Sequence, residues 1–231
     1  MQPDWCTLNR LPSSSTDEPV TRTRVKICGI TRESDLAAVV SAGADAVGFV
    51  FYPKSPRHVE PDQAARLIQS LPPFIQSVAL FLNPETDYVR EVIQRTSLDV
   101  LQFHGAEPAE LCESFDRPYI KAVPMGGDSD QVLDVTAYTD YHPMARGFLL
   151  DSHALGEAGG SGKVFDWTRY PSHVARPMVL AGGLNPSNVA EAVQQVRPYG
   201  VDVSSGVESS LGIKDEQLVK TFIEQATGST R

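Results

Sequence analysis

Cysteine, long apolar runs and net positive charge are all scarce in these 231 residues. The cysteines are Cys6, Cys28 and Cys112. An odd, scattered set with no CxxC pair builds neither a disulfide framework nor a zinc site, and it points to a reducing, cytoplasmic compartment. No apolar run reaches the roughly 18 to 20 residues that span a bilayer. The opening MQPDWCTLNR has neither the charged n-region nor the apolar h-region of a signal peptide. Lys and Arg number 20 against 29 Asp and Glu, a formal charge of −9. That balance argues against sequence-blind nucleic-acid binding and against anionic membranes as partners. It leaves room for a local basic pocket that takes a small phosphate. What the chain does have is 41% hydrophobic residues, enough for one globular core.

Residues 1–23 carry no hydrophobic period, and Ser13 to Pro19 are polar and turn-like, which predicts a flexible tail. From Arg24 to the end, short β-branched runs alternate with helical stretches. Strands are expected to end near Cys28, Phe51, Phe81, His104, Val123, Asp151, Ala181 and Ser204. The mean step is about 25 residues, the length of one strand, loop and helix. Val47 to Phe51 and Met178 to Ala181 are uninterrupted apolar runs, as in parallel strands covered on both faces. Asn83-Pro84 and Asn185-Pro186 read as N-caps followed by a proline at the first helical position. Eight such units predict a single-domain (β/α)8 barrel over residues 24–231, near the lower end of the roughly 200 to over 400 residues this fold occupies. Its active site belongs at the C-terminal ends of the strands.

Strand alternation there puts Lys26 and Cys28 inward on strand 1, with Val25 and Ile27 outward. Asp202 and Ser204 share a face of strand 8, which closes against strand 1, so Lys26 and Asp202 are expected to pair. Cys28 at the rim reads either as an inert buried thiol or as a reactive one. Arg57, in the proline-stiffened loop after strand 2, suits a carboxylate, or else is an ordinary solvated arginine. His104 shares a face with Gln102 and is either a hydrogen-bonded structural group or a base. Asp151 follows an apolar strand, and an environment that raises its pKa would suit it to proton donation; otherwise it is a loop acid. The run Gly159-Gly160-Ser161-Gly162 reads as a mobile lid or a merely flexible loop. Gly182-Gly183 and Ser204-Ser205-Gly206, after strands 7 and 8, stand where this fold usually binds phosphate. Tight turns are the plainer alternative.

Seven motifs in order now carry a resemblance: KICG (26–29), FYPKSPR (51–57), LQFHG (101–105), LLDS (149–152), GGSGKVFDW (159–167), LAGGLNP (180–186) and VDVSSGVE (201–208). From Arg24 onward the chain resembles the phosphoribosylanthranilate isomerase family of tryptophan biosynthesis. The resemblance implies a cofactor-independent (β/α)8 barrel, with no metal, that rearranges N-(5'-phosphoribosyl)anthranilate. It implies Cys28 as general base and Asp151 as general acid. Arg57 would face the anthranilate carboxylate, with Lys26, His104 and Asp202 also against the substrate. Gly160, Ser161, Gly182, Gly183, Ser204, Ser205 and Gly206 would hold the phosphate. Cys28 would act as a thiolate, partly ionised near neutral pH through Lys26 and the dipole of the phosphate-side helix. The expected partner is a small phosphorylated substrate, and the assembly a monomer or a homodimer. Two alternatives remain at this point: a phosphate-metabolite-binding barrel without catalysis, and the histidine-pathway isomerase, whose base on strand 1 is an aspartate.

Overall fold

The computed structural model describes residues 22–126, 133–152, 166–171 and 173–228. Eight parallel strands close into a barrel: β1 (Arg24–Cys28), β2 (Ala46–Val50), β3 (Gln76–Phe81), β4 (Val100–Phe103), β5 (Tyr119–Pro124), β6 (Gly147–Asp151), β7 (Met178–Leu180) and β8 (Gly200–Val203). Each end falls within one residue of the strand ends expected from sequence. Closure runs through β1 and β8, where Lys26 stands opposite Asp202. Arg22 already belongs to this frame, since its guanidinium pairs with Asp45, whose carboxylate also accepts from the Val25 N–H at 2.8 Å.

The helices are α1 (Glu33–Ala42), α2 (Pro61–Gln69), α3 (Thr86–Thr96), α4 (Ala109–Glu113), α5 (Val135–Asp140), α6 (Val189–Val196) and α7 (Glu216–Thr227). α7 shows the logic of the outer layer. Asp215 caps it by accepting from the Leu218 N–H at 2.9 Å, Val219, Phe222, Ile223 and Ala226 form its buried stripe, and Gly228 ends it at φ 66°. The main core lies between strands and helices and includes Phe49, Phe51, Phe81, Phe103 and Phe148. A much smaller apolar group of Ala122, Leu149 and Ala181 occupies the barrel interior, which leaves its upper part to polar side chains.

Three details differ from the sequence reading. First, the N-caps of α3 and α6 are Glu85 and Asn188, not Asn83 and Asn185. Asn83 adopts a left-handed conformation (φ 45°), and its side chain accepts from the Ala106 N–H at 2.8 Å, tying two rim loops together. Asn185 instead closes a preliminary turn, accepting from the Ser187 N–H at 2.9 Å. Second, among the described residues a 3-10 turn, Trp167–Arg169, stands between β6 and β7 in place of an α-helix. Third, β8 is followed by a 3-10 turn (Ser205–Val207) and an antiparallel hairpin, β9 (Glu208–Ser210) and β10 (Ile213–Lys214), before α7. No helix among the described residues is long and apolar enough to cross a membrane.

Candidate active site

A cavity of about 170 Å³ opens at the C-terminal rim and is lined by Cys28, Arg57, His104, Asp151, Asp202 and Ser204, with Tyr52, Lys54 and Leu82 among its walls. Larger hollows of about 490 and 610 Å³ lie between α1 and α7 and at the opposite end of the barrel. Neither gathers an acid, a base and a cation at the strand ends, so the smaller rim cavity is the candidate site.

β1 supplies the first cluster. Lys26 points inward and donates to Asp202 Oδ1 at 2.9 Å, both side chains being buried. The expected pair therefore exists, and register across the closure seam produces it. Burial alone would lower the Lys26 pKa, but Asp202 and Cys28 outweigh it, so the ammonium stays charged well into the alkaline range. Two residues on, Cys28 faces the same way. Its neighbour in the ladder is Gly48, where a Cβ would sit 2.7 Å from the Cys28 sulfur. Glycine on β2 is thus what gives the thiol its space. Burial pushes the Cys28 pKa up, and Lys26 and Lys214 only partly oppose this. The expectation of a thiol partly ionised near neutral pH is corrected accordingly. So is the contribution of a helix dipole, because a 3-10 turn of three residues follows β8.

β4 and β6 supply the second cluster. His104 Nε2 lies 3.0 Å from Asp151 Oδ2, and Gln102 Nε2 lies 3.3 Å from His104 Nδ1. The Asp151 carboxylate also accepts from the Ser152 N–H through Oδ1 at 2.7 Å. Donation by the Gln102 amide to Nδ1 leaves Nε2–H to point at the carboxylate, which fixes the ring and the carboxylate relative to each other.

Arg57 reaches the cavity too, but in this structure its fork grips Glu208, Nε to Oε1 at 2.7 Å and Nη2 to Oε2 at 2.9 Å. Glu208 also accepts from Lys214 at 2.9 Å, and the Lys214 ammonium donates to the Ser204 carbonyl at 3.0 Å. These two cations hold the Glu208 carboxyl below the usual range, against the opposing effect of burial. Ser204 Oγ donates to the Cys28 carbonyl at 3.0 Å, so its hydroxyl braces β1.

On the β7 side, Gly182 and Gly183 have φ of 79° and 67°, and a Cβ on Gly182 would come within 2.6 Å of the Ser152 nitrogen. A Cβ on Gly206 would collide with the Leu184 carbonyl, so the loops after β7 and β8 are in contact. Gly160 and Ser161, and the whole lid candidate Gly156 to Lys163, lie outside the described residues. No cluster of three or more potential metal ligands occurs among the described residues.

Sequence reasoning missed Glu208, Lys214 and the wall residue Lys54. Glu208 sits in the last motif, but nothing local ties it to Arg57, 151 residues away.

Comparison with known proteins agrees with the barrel fold. The family model described as "N-(5'phosphoribosyl)anthranilate (PRA) isomerase" matches residues 25–225. An N-(5'-phosphoribosyl)anthranilate isomerase of Hahella chejuensis is 50% identical over 202 residues, 87% of this chain and 93% of that protein. A phosphoribosyl anthranilate isomerase crystallised with reduced 1-(o-carboxyphenylamino)-1-deoxyribulose 5-phosphate superposes with a TM-score of 0.77 at 42% identity, over 90% of this chain and 100% of that one. A structure of monomers generated from the dimeric enzyme of Thermotoga maritima gives 0.76 at 40% identity, with the same coverage.

Proposed function

The chain belongs to the N-(5'-phosphoribosyl)anthranilate isomerase family, and from that premise we propose how its rim residues carry the reaction. The enzyme converts N-(5'-phosphoribosyl)anthranilate into 1-(2-carboxyphenylamino)-1-deoxyribulose 5-phosphate, an aldose–ketose isomerisation in tryptophan biosynthesis. Asp151 is the general acid. It gives its proton to the furanose ring oxygen as the C1–O bond breaks, and the anilino nitrogen lone pair forms the C1=N bond of a protonated Schiff base. Cys28, as thiolate, takes the C2 proton. The C–H electrons become the C1=C2 bond and the iminium electrons return to nitrogen, giving an enolamine that tautomerises to the ketose. No electrons are gained or lost overall.

One observation carries this reading: the Asp151–His104 pair borders the same cavity as Cys28 and Asp202, with Lys26 bonded to Asp202 outside the cavity lining. An acid and a base at separate points of one rim are what ring opening and C2 deprotonation need. Lys26 supports the reading as a persistent counter-charge for the thiolate. Arg57, held by Glu208 on one edge of its fork, meets the anthranilate carboxylate; His104 and Asp202 border the sugar, whereas Lys26, expected against the substrate, is outside the cavity lining and acts through its bond to Asp202. Gly182, Gly183, Ser204, Ser205 and Gly206 form the phosphate end, and Gly160 and Ser161 are assigned to the same ligand by the family motif. The histidine-pathway alternative fails on β1, which ends in Cys28 and not in an aspartate. A non-catalytic barrel would leave the facing acid and base without a use.

The catalytic unit is the single barrel domain of residues 24–231, which Arg22 already joins through Asp45, working in the cytoplasm on a phosphorylated small molecule as a monomer or homodimer. The test is Asp151→Asn, which keeps the shape but removes the transferable proton and one acceptor oxygen. It is expected to lower kcat by about 10² to 10⁴ while KM changes little, read from anthranilate fluorescence with substrate made in situ. A wild-type kcat contradicts the acid assignment.

A further inference from the structure

Behind the rim, on the helix side of the sheet, sits an ion pair that the reaction does not touch. Its neighbours on β5, Ile120 and Ala122, pack on the small apolar group inside the barrel, so Lys121 points outward into the hydrophobic layer. It is fully buried there, and its partner Glu107 is 4% exposed. The Nζ–Oε2 distance is 2.9 Å. A buried ion pair is costly to desolvate and is often no more stabilising than apolar residues of the same volume. What it holds is therefore more informative than its mere presence.

Apart from one bond to the β3–α3 loop, the hydrogen bonds of this pair go to the segment that carries His104. Lys121 Nζ donates to the Gly105 carbonyl at 2.6 Å and lies 3.5 Å from the Phe103 carbonyl. Glu107 accepts from the Gly105 N–H at 2.9 Å and from the Asn83 N–H at 2.8 Å. The peptide group before the His104 Cα thus has its carbonyl facing Lys121, while its N–H donates to the Phe81 carbonyl at 2.9 Å. The peptide group after that Cα donates its N–H to Glu107. Glu107 thus holds the peptide group after His104 and Lys121 the next one along, at the Gly105 carbonyl, and the imidazole between these anchors and the cavity lies against Asp151.

We propose that Lys121 and Glu107 are positioning residues for the isomerisation: from the outer layer they fix the backbone of His104, and through it the orientation of the Asp151 carboxylate. Neither touches substrate. The inference rests on His104 being the partner of the catalytic acid. A displacement of about 1 Å at a reacting group can cost on the order of 100-fold in rate, and the β4 rim has no other charged anchor among the described residues.

The test is a double-mutant cycle on the full chain, Lys121→Met against His104→Ala, with kcat and KM measured for each. Lys121→Met is expected to lower kcat by about 10- to 100-fold with KM held within about threefold, and to cost nothing further in the His104→Ala background. Glu107→Gln, which keeps the shape and an acceptor oxygen, reads the same cycle should Lys121→Met not fold, and Glu107→Asp is expected to recover less than the wild-type rate but more than Glu107→Gln. Losses that multiply in the double variant, or a raised KM at unchanged kcat, overturn the positioning role alone. A His104→Ala enzyme with wild-type kcat overturns the His104–Asp151 reading itself, and this proposal with it.

Discussion

Cys28 sits between opposing influences. Burial raises its pKa, and Lys26 and Lys214 pull it back only in part. Thiolate is the form that removes a proton, so kcat/KM is expected to rise with pH through neutrality into the alkaline range. Replacing Lys26 by Met removes one of the two cations opposing burial, which moves this limb further alkaline. A pH–rate profile that is unchanged in Lys26→Met contradicts the counter-ion role. His142 gives a prediction about stability. Burial lowers its pKa from 6.5 to about 4, followed in effect by the neighbouring Lys121. The unfolded chain then binds a proton that the folded one refuses, so stability is full above about pH 6.5 and is lost as pH falls toward 4. His142→Asn is expected to flatten that part of the Tm-against-pH curve, and an unaltered slope contradicts it. At this scale the sequence was legible where alternation and closure acted together, as in Lys26 facing Asp202. It was silent where a partner is distant and nothing periodic marks it. Glu208, Lys214 and the Lys121–Glu107 pair are of that kind: a lysine within Tyr119–Pro124 and a glutamate three residues past His104 carry no local signal of each other.

Among the elements, strands were the most legible, because continuous apolar runs covered on both faces leave little choice of structure. Helix starts were displaced by two or three residues because Asn83 and Asn185 found better partners in the rim loops than in the helix termini. The β9–β10 hairpin was not anticipated; its strands are three and two residues long and too short to show alternation. That hairpin nonetheless carries both ends of the Glu208–Lys214 contact, with Arg57 arriving from the β2 side. Glu208→Ala leaves two buried cations without their carboxylate, so it is expected to cost about 3 to 5 kcal/mol in stability. A lowered urea midpoint at constant m checks this, and a loss below about 1 kcal/mol, the range of exposed pairs, contradicts it.

At the level of the whole molecule, the net charge of −9 describes the outside of the barrel and says little about its mouth. There Lys26 is paired with Asp202 while Arg57 and Lys214 share the one carboxylate of Glu208, and Lys54 lines the cavity beside them. The same closure that joins β8 to β1 brings residues 176 apart into one cluster. Cys28 and Asp151 reach a common cavity only because the ring is closed. The account therefore stands or falls on whether the thiol at the end of β1 removes a proton. The measurement is the steady-state turnover of Cys28→Ala, with product binding measured on the same preparation to show that the site is intact. The account predicts a kcat lower by about 10² to 10⁴ with product still bound; turnover at the wild-type rate would contradict it.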